Sequence, residues 1–299
     1  METRILGFAG HKQAGKSTCA NFLHGYQLRA HGIINGFDIL VDGNLVIETV
    51  MIDSEGVEQT GKGALDTTRT DPEFAEWAAY NMWPYIKRYS FASTLKEIAV
   101  GLFGLKEENI YGNNIQKNQK THFNWGDMPG VITSAALAKK KDIKKLIDDG
   151  VLIYHKAGRM THREFLQFFG TDICRKVYED IWRAKLIDDI VRESPLLAVI
   201  DDCRFPDEIE AIQDAGGKVV YLTRSNFTDN HASESALDDF SGFDALIDNA
   251  DLSIHETNMK IIECLDHWGW LGKDIQPEPV TPVNLTQPEL VGGIHKIKE

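Results

Sequence analysis

The stretch GHKQAGKST, Gly10 to Thr18, constrains this chain more than any other, because it sets two glycines, a lysine and two hydroxyls directly behind the apolar run RILGFA. Its spacing is G-x-x-x-x-G-K-[ST], the form of a loop whose backbone N–H groups wrap phosphate between a strand and the following helix. The flanks supply that context. RILGFAG reads as a short buried strand, and in KSTCANFLHGY the positions of Ala20 and Leu23 give a helix-like apolar face. The loop therefore predicts the first strand–helix unit of an α/β protein, with Gly10, Lys12, Ala14, Gly15, Lys16, Ser17 and Thr18 lining a triphosphate such as that of ATP. Gly10 and Gly15 would let the backbone approach, Lys16 would bridge the outer phosphates, and Ser17 would be a ligand of Mg2+.

Composition narrows the partners. The 299 residues are 42% apolar and 26% charged, enough to bury a substantial core as one large domain or a domain with an insertion. A formal net charge of -13 repels a polyanion at long range, so stable nucleic-acid binding is not expected. The densest basic run, AKKKDIKKLIDD, carries acids of its own and reads as a solvated helix face. The four cysteines, Cys19, Cys174, Cys203 and Cys264, lie far apart with no C-x-x-C among them, which fits reduced thiols in a cytoplasm and argues against structural zinc. No stretch reaches the ~18 uninterrupted apolar residues of a membrane span, and no long apolar run follows a basic region at the start, so a cytoplasmic protein is expected.

Along the chain, FDILVDGNLVIETVMID alternates about Asp42-Gly43, a dipeptide suited to a two-residue hairpin turn. Residues 31–80 thus read as an antiparallel insertion, with DSEGVEQTGKG an exposed loop. RYSFASTLKEIAVGLFGL resumes the core as a short strand and a helix capped by Ser93, and YGNNIQKNQKTHFNWGDMPG reads as an aperiodic loop. Thr161 and Glu164 have the T-x-x-E form of a capping box ahead of FLQFFG. TDICRKVYEDIWRAKLIDDIV, with Ile173, Val177 and Ile181 four apart, reads as one core-facing helix. PLLAVIDDCRFPDEIEAIQDAGGKVVYLTR is a buried strand with an acidic end, a helix stopped at Gly216-Gly217, and a second buried strand. ADLSI is expected as the last strand and NMKIIECLDHW as the last helix. The pattern predicts a parallel sheet covered by helices on both faces over residues 1–270, followed by an extended tail, 271–299.

A phosphate loop of this kind needs an acid at the end of a neighbouring strand. LLAVIDD offers Asp201 and Asp202, one of which should face the metal with Ser17. Guanidinium forks suit a second phosphate, and Arg163, Arg175, Arg204 and Arg224 are the candidates; Arg204, two residues past the acid, is the strongest. No N-K-x-D follows the loop, which disfavours a GTPase, and no Ser/His/Asp set is poised for nucleophilic catalysis.

Taken in order, GFAGHKQAGKST, YSFASTLKE, MTHREFLQFFGTDICRKVYEDIW, VIDDCRFPDEIEAIQDAGGKVVYLTR, HASE and ADLSI resemble the bacteriophage deoxynucleoside monophosphate kinases, over residues 5–24 and 88–265. The phosphate loop is shared by many families. R-E-F-L-Q-F-F-G-T-D with a tryptophan ten residues on, then D-x-R and H-x-S-E, is far more particular. The resemblance implies a P-loop kinase fold, ATP and Mg2+ as donor, and a 2'-deoxynucleoside 5'-monophosphate as acceptor, in the cytoplasm of an infected bacterium. It implies that Lys16, Ser17 and Thr18 serve ATP, that Asp202 serves the metal region, and that Arg163, Gln167, Asp172, Trp182 and Arg204 form the acceptor pocket. Arg175 is assigned with them to the acceptor, Arg224 to the ATP side, and His231 and Glu234 match the HASE element. The insertion has no counterpart in the compact family pattern. Residues 111–130 and 225–243 are the candidate closing segments, and residues around Trp77, Trp83 and Tyr85 are a candidate homodimer contact. Two other readings stand beside this one: a phage kinase acting on a hydroxymethylated base within DNA, and a nucleotide-gated binding module without transfer activity.

Overall fold

A computed structural model describes residues 3–52, 58–69, 71–134, 143–225 and 236–271. The chain divides into two compact units, Met1–Phe91 with Leu186–Glu299, and Ala92–Lys185.

The first unit is built on a five-stranded parallel sheet. Its strands are β1 (Arg4–Gly10), β5 (Ile86–Tyr89), β10 (Leu197–Cys203), β11 (Lys218–Leu222) and β12 (Ala245–Ile247), in the order β12-β11-β1-β10-β5. Near-continuous apolar runs such as RILGFA and LLAVI are what a strand covered on both faces requires. Alternation then sorts them. Leu6, Phe8, Leu197, Val199, Val220 and Leu222 join one buried cluster with Leu23 of helix Lys16–Ala30 and Ile261 of helix Ile254–His267. Ile5, Ala9, Ala198, Ile200 and Val219 join a second with Leu186, Ile190, Ile209 and Ile212. Two separate cores on alternate residues are the signature of a sheet with helices on both faces. This mixed α/β architecture is compatible with a P-loop kinase.

The insertion folds as a three-stranded antiparallel sheet, β2 (Gly36–Ile39), β3 (Leu45–Ile52) and β4 (Glu58–Ala64), one strand more than the expected hairpin. Its first turn falls at Asp42-Gly43, but as a three-residue loop rather than the expected two-residue one: Leu40 N donates to Asn44 O at 2.9 Å, Gly43 N donates to Leu40 O at 2.8 Å, Asp42 Oδ1 accepts from Asn44 N at 3.0 Å, and of the pair only Gly43 has a positive φ, 86. Leu45 and Ile47 are buried with Phe22 and Tyr26, so this sheet shares the core of helix Lys16–Ala30. The two approach closely at Gly25, where a Cβ would lie 2.5 Å from Phe37 Cγ. Gly25→Ala gains about 1 kcal/mol of helix propensity but forces the Phe37 ring off its site at a cost of about 1–3 kcal/mol, so a net loss of about 1 kcal/mol is expected in urea unfolding.

The aromatic residues expected as an exposed contact are partly covered. Trp77 and Trp83 pack against the same core, and Tyr85 stacks on His31 with ring centroids 4.5 Å apart. ADLSI is not a strand: the last strand is Ala245–Ile247, and Ser253 instead accepts from Glu256 N as the cap of the final helix. Among the described residues no helix is long and apolar enough to cross a membrane.

The second unit carries two small strand pairs, β6 (Lys120–Asn124) with β9 (Arg159–Thr161), antiparallel, and β7 (Val131–Thr133) with β8 (Ile153–His155), parallel. Its core is aromatic, with Phe103 edge-on to Phe165 and Phe169, and Trp125, Met160 and Phe168 buried around them. Three expectations fail here for local reasons. Ser93 is the first residue of helix Ser93–Gly101 rather than its cap, since Ala92 occupies that place. The 111–130 segment contains helix Asn114–Lys117, closed by an Asn113/Gln116 capping box, and β6, elements too short for periodicity to betray. The single helix expected from Thr171 to Val191 breaks at Tyr178, which is extended at φ -152, leaving Val177 81% exposed. The Thr161/Glu164 capping box forms as read, and a π-helical stretch, Phe168–Cys174, follows it. HASE, most of 225–243, the tail beyond Leu271 and the first part of the basic run AKKKDIKKLIDD, to Asp142, lie outside the described residues; the rest of that run contains the helix Ile143–Asp148, with Lys144 and Lys145 exposed.

Candidate functional site

Parallel strands end at one edge, so the loop after β1 lies between the ends of its neighbours β10 and β11. The loop turns on two glycines. Gly10 has φ 137, with Leu222 O 2.5 Å from where a Cβ would sit, and Gly15 has φ 102 as the residue preceding the helix. Neither conformation suits a residue with a side chain. Having none, Gly15 leaves the helix N-terminus without a side-chain cap, and no acidic residue occupies the first turn. No residue of the helix's own first turn thus supplies a carboxylate to its amide dipoles. Lys16 reaches back over the loop, its Nζ donating to Gly10 O at 2.6 Å and His11 O at 2.8 Å.

Ser17, one residue on, donates its hydroxyl proton to Asp201 Oδ2 at 2.7 Å. Asp201, at the end of β10, is also gripped by Arg88 of β5, whose Nε donates to Oδ1 at 2.9 Å while Nη2 donates to Oδ2. The two side chains are 15% and 9% exposed. Burial by itself would push the Asp201 carboxyl up; Arg88, the Ser17 hydroxyl and Lys16 outweigh it and hold the group below the usual carboxylate range. A third group of the same helix, His24, faces this pair: burial pushes its ring down to about 4, and Nδ1 donates to Ala20 O at 2.8 Å. Ser17, Asn21 and His24 fall on one face of this helix, which gathers these polar side chains on the side of Asp201.

A second set of contacts fixes the loop from behind. Asn249, 1% exposed, donates from Nδ2 to Ala14 O at 2.9 Å and accepts Arg224 N at Oδ1 at 2.8 Å. The Arg224 guanidinium donates to Asn249 O, through Nε at 3.1 Å, and to Leu252 O. Arg224, expected on the ATP side, thus holds the segment that buttresses the loop. Nothing in the sequence around Asn249 marks it.

Of the acidic pair, then, Asp201 meets Ser17, whereas Asp202 accepts from Ser90 Oγ at 2.6 Å and from Phe91 N. Adjacent strand residues point to opposite faces, so only one can face the loop helix. Arg204 is exposed just beyond the strand, and its backbone N donates to Glu208 Oε2 at 2.8 Å, as Phe205 N does at 3.2 Å. Burial pushes the Glu208 carboxyl up to about 7, with the Asp202 charge adding to the effect against those two N–H donors. A folded-state value above the unfolded one contributes stability that is complete below the unfolded range and lost as pH rises through 7. Between pH 4.5 and 8 this group should cost the protein up to about 3 kcal/mol. Glu208→Gln is expected to flatten that decline in denaturant titrations at the two pH values; an unchanged slope would show that Glu208 is ionised in the folded protein at no cost.

The acceptor residues expected from the sequence lie on the second unit, save Arg204. Arg163 is exposed and donates from Nη2 to Asn114 Oδ1 at 2.8 Å, and Gln167 is exposed on the same helix, His162–Gln167. Asp172 and Arg175 are half-buried in and just after the π-helical stretch. Trp182 is buried, donating from Nε1 to Gly170 O at 3.1 Å. Lys12, Thr18 and Ala14 stay with Lys16 in the loop region, Ala14 being buried.

Residues 114–261 match the family model described as deoxynucleotide monophosphate kinase. The loop, Gly10 to Thr18, precedes that range. A protein of Acanthamoeba polyphaga mimivirus, described as "Putative deoxynucleotide monophosphate kinase", is 26% identical over 192 residues, covering 60% of this chain and 82% of the relative. Both likenesses are to kinases acting on nucleotides, and they support a nucleotide-kinase function for this chain.

Proposed function

We propose that the chain transfers the γ-phosphate of ATP to a 2'-deoxynucleoside 5'-monophosphate. The observation that carries the donor half is the Ser17–Asp201 hydrogen bond beside Lys16, at the start of a helix that no side chain caps. The acceptor half is supported by the likeness to deoxynucleotide monophosphate kinases.

The donor set fits the group it would hold. Ser17 Oγ and the Asp201 carboxylate are hard oxygen donors suited to Mg2+, which usually keeps substrate phosphates and water as its remaining ligands. Among the described residues no group of three or more His, Cys, Asp or Glu could hold an ion unaided. When bound with ATP, Mg2+ supplies positive charge against the phosphoryl oxygens. In this reading Asp201 has the part first assigned to Asp202. The loop amides and helix N-terminus bind phosphate, and Lys16 turns from the loop carbonyls to the outer phosphates, replacing one set of oxygen acceptors by a more strongly charged one. Arg163, Arg175 and Arg204 are assigned to the acceptor phosphate, with Gln167, Asp172 and Trp182 on its nucleoside. No general base is needed, because a monophosphate is largely dianionic near neutral pH and attacks through its own oxygen.

A screen of canonical and modified deoxynucleoside monophosphates, with ADP formation as readout, is expected to show acceptor-dependent turnover for a subset of bases. DNA carrying hydroxymethylated bases should not stimulate it. Stimulation by that DNA and by no free nucleotide would transfer the assignment to the nucleic-acid substrate.

A further inference from the structure

The Arg88–Asp201 pair needs an explanation that stability does not supply. Two charged side chains this far from solvent gain little over a well-packed apolar pair, because the loss of hydration offsets their attraction. Arg88 also stands on β5 between residues that are ordinary sheet positions, with Ile86 fully buried and Tyr89 nearly so. What the pair does supply is orientation. Nε and Nη2 take the two carboxylate oxygens separately, a two-point grip that fixes the carboxylate plane and that an ammonium group cannot reproduce. The guanidinium is itself steadied from a third side. Nη1 lies 3.5 Å from Thr67 Oγ1, Thr67 Oγ1 donates to Asn21 Oδ1 at 3.3 Å, and Asn21 Nδ2 donates to Gly43 O at 2.9 Å. Thr67 and Gly43 both belong to the 31–80 insertion. The circuit therefore runs from the insertion, through Arg88 and Asp201, to Ser17.

We propose that Arg88 is a positioning residue: its fork holds the Asp201 carboxylate so that Oδ2 takes the Ser17 hydroxyl proton, leaving the lone pairs of Ser17 Oγ for the cation that accompanies the nucleotide. Thr67 and the insertion turn complete the support. A carboxylate free to rotate would let the Ser17 proton point elsewhere, including toward the place of the cation. The proposal rests on the reading of the loop as the Mg·nucleotide site, and its consequence is specific. Disturbing Arg88 should weaken the part of nucleotide binding that depends on Mg2+ and spare the part that does not.

Calorimetric titration of ADP with and without Mg2+ tests this in the wild-type protein, Arg88→Lys and Ser17→Ala. Loss of an outer partner of a metal ligand typically weakens the metal by about 10–100-fold. Arg88→Lys, which keeps the charge but not the fork, is expected to bind metal-free ADP within about twofold of wild type and to lose about tenfold of the Mg2+-dependent gain, and Ser17→Ala is expected to lose at least as much. A full Mg2+-dependent gain in Arg88→Lys would overturn the proposal and leave Arg88 a structural partner only. If Arg88→Lys does not fold, Thr67→Val removes the third support with every charge in place; it should lose about threefold of the same gain, and an unchanged gain in that folded variant overturns the proposal equally. Failure of the wild-type protein to bind ADP at all would overturn the loop reading itself, an outcome separated from the others by the wild-type titration.

Discussion

Lys16→Ala is expected to lower phosphoryl transfer by at least about a thousandfold while leaving a folded protein, since positioned charge carries most of the catalysis in such transfers. In the structure Lys16 Nζ makes two hydrogen bonds to loop carbonyls, each of which contributes about 1 kcal/mol to stability. The loop keeps its other supports in the variant: the Asn249 contact to Ala14 O, the strand behind it and the helix ahead of it. Far-ultraviolet circular dichroism and the unfolding midpoint should therefore change little, and initial rates of ADP formation should collapse. Rates within tenfold of wild type would mean that the ammonium does not act on the phosphates.

Asp201→Ala should be the most destabilising single change at the site. Removing the carboxylate strands the Arg88 guanidinium in a place where its side chain is 15% exposed, and breaking a buried pair on one side typically costs about 3–5 kcal/mol. The Ser17 hydroxyl loses its acceptor in the same step. Replacing both partners by apolar residues, Arg88→Met with Asp201→Leu, should recover most of that loss without recovering Mg2+-dependent nucleotide binding. That combination separates the two uses of the pair. A single Asp201→Ala variant within about 1 kcal/mol of wild type in urea unfolding would show that the pair is solvated in solution.

Much of the candidate site is legible in the sequence, because its elements are local. The loop is nine consecutive residues, flanked by a strand and a helix whose periodicities are unambiguous, and the Thr161/Glu164 cap is a four-residue pattern. The acid at the end of LLAVIDD was legible as a pair, but choosing between Asp201 and Asp202 required the facing of β10, and strand alternation has no absolute phase in sequence. Arg88, Thr67 and Asn249 were not legible at all. Their partners lie 46 residues away for Thr67 with Asn21, 113 for Arg88 with Asp201 and 235 for Asn249 with Ala14, and each is an ordinary polar residue in its own segment. Where the sequence reading failed on secondary structure, as at Tyr178 and Ala245–Ile247, the decisive interactions were single backbone turns and sheet pairing, which helical spacing does not report.

The most direct test follows the phosphorus atom itself. With ATP labelled at its γ-phosphate and an accepted deoxynucleoside monophosphate, the label should appear in the terminal phosphate of the deoxynucleoside diphosphate, one equivalent for each ADP formed, and Lys16→Ala should abolish it. Label released as inorganic phosphate with the monophosphate unchanged would contradict the account.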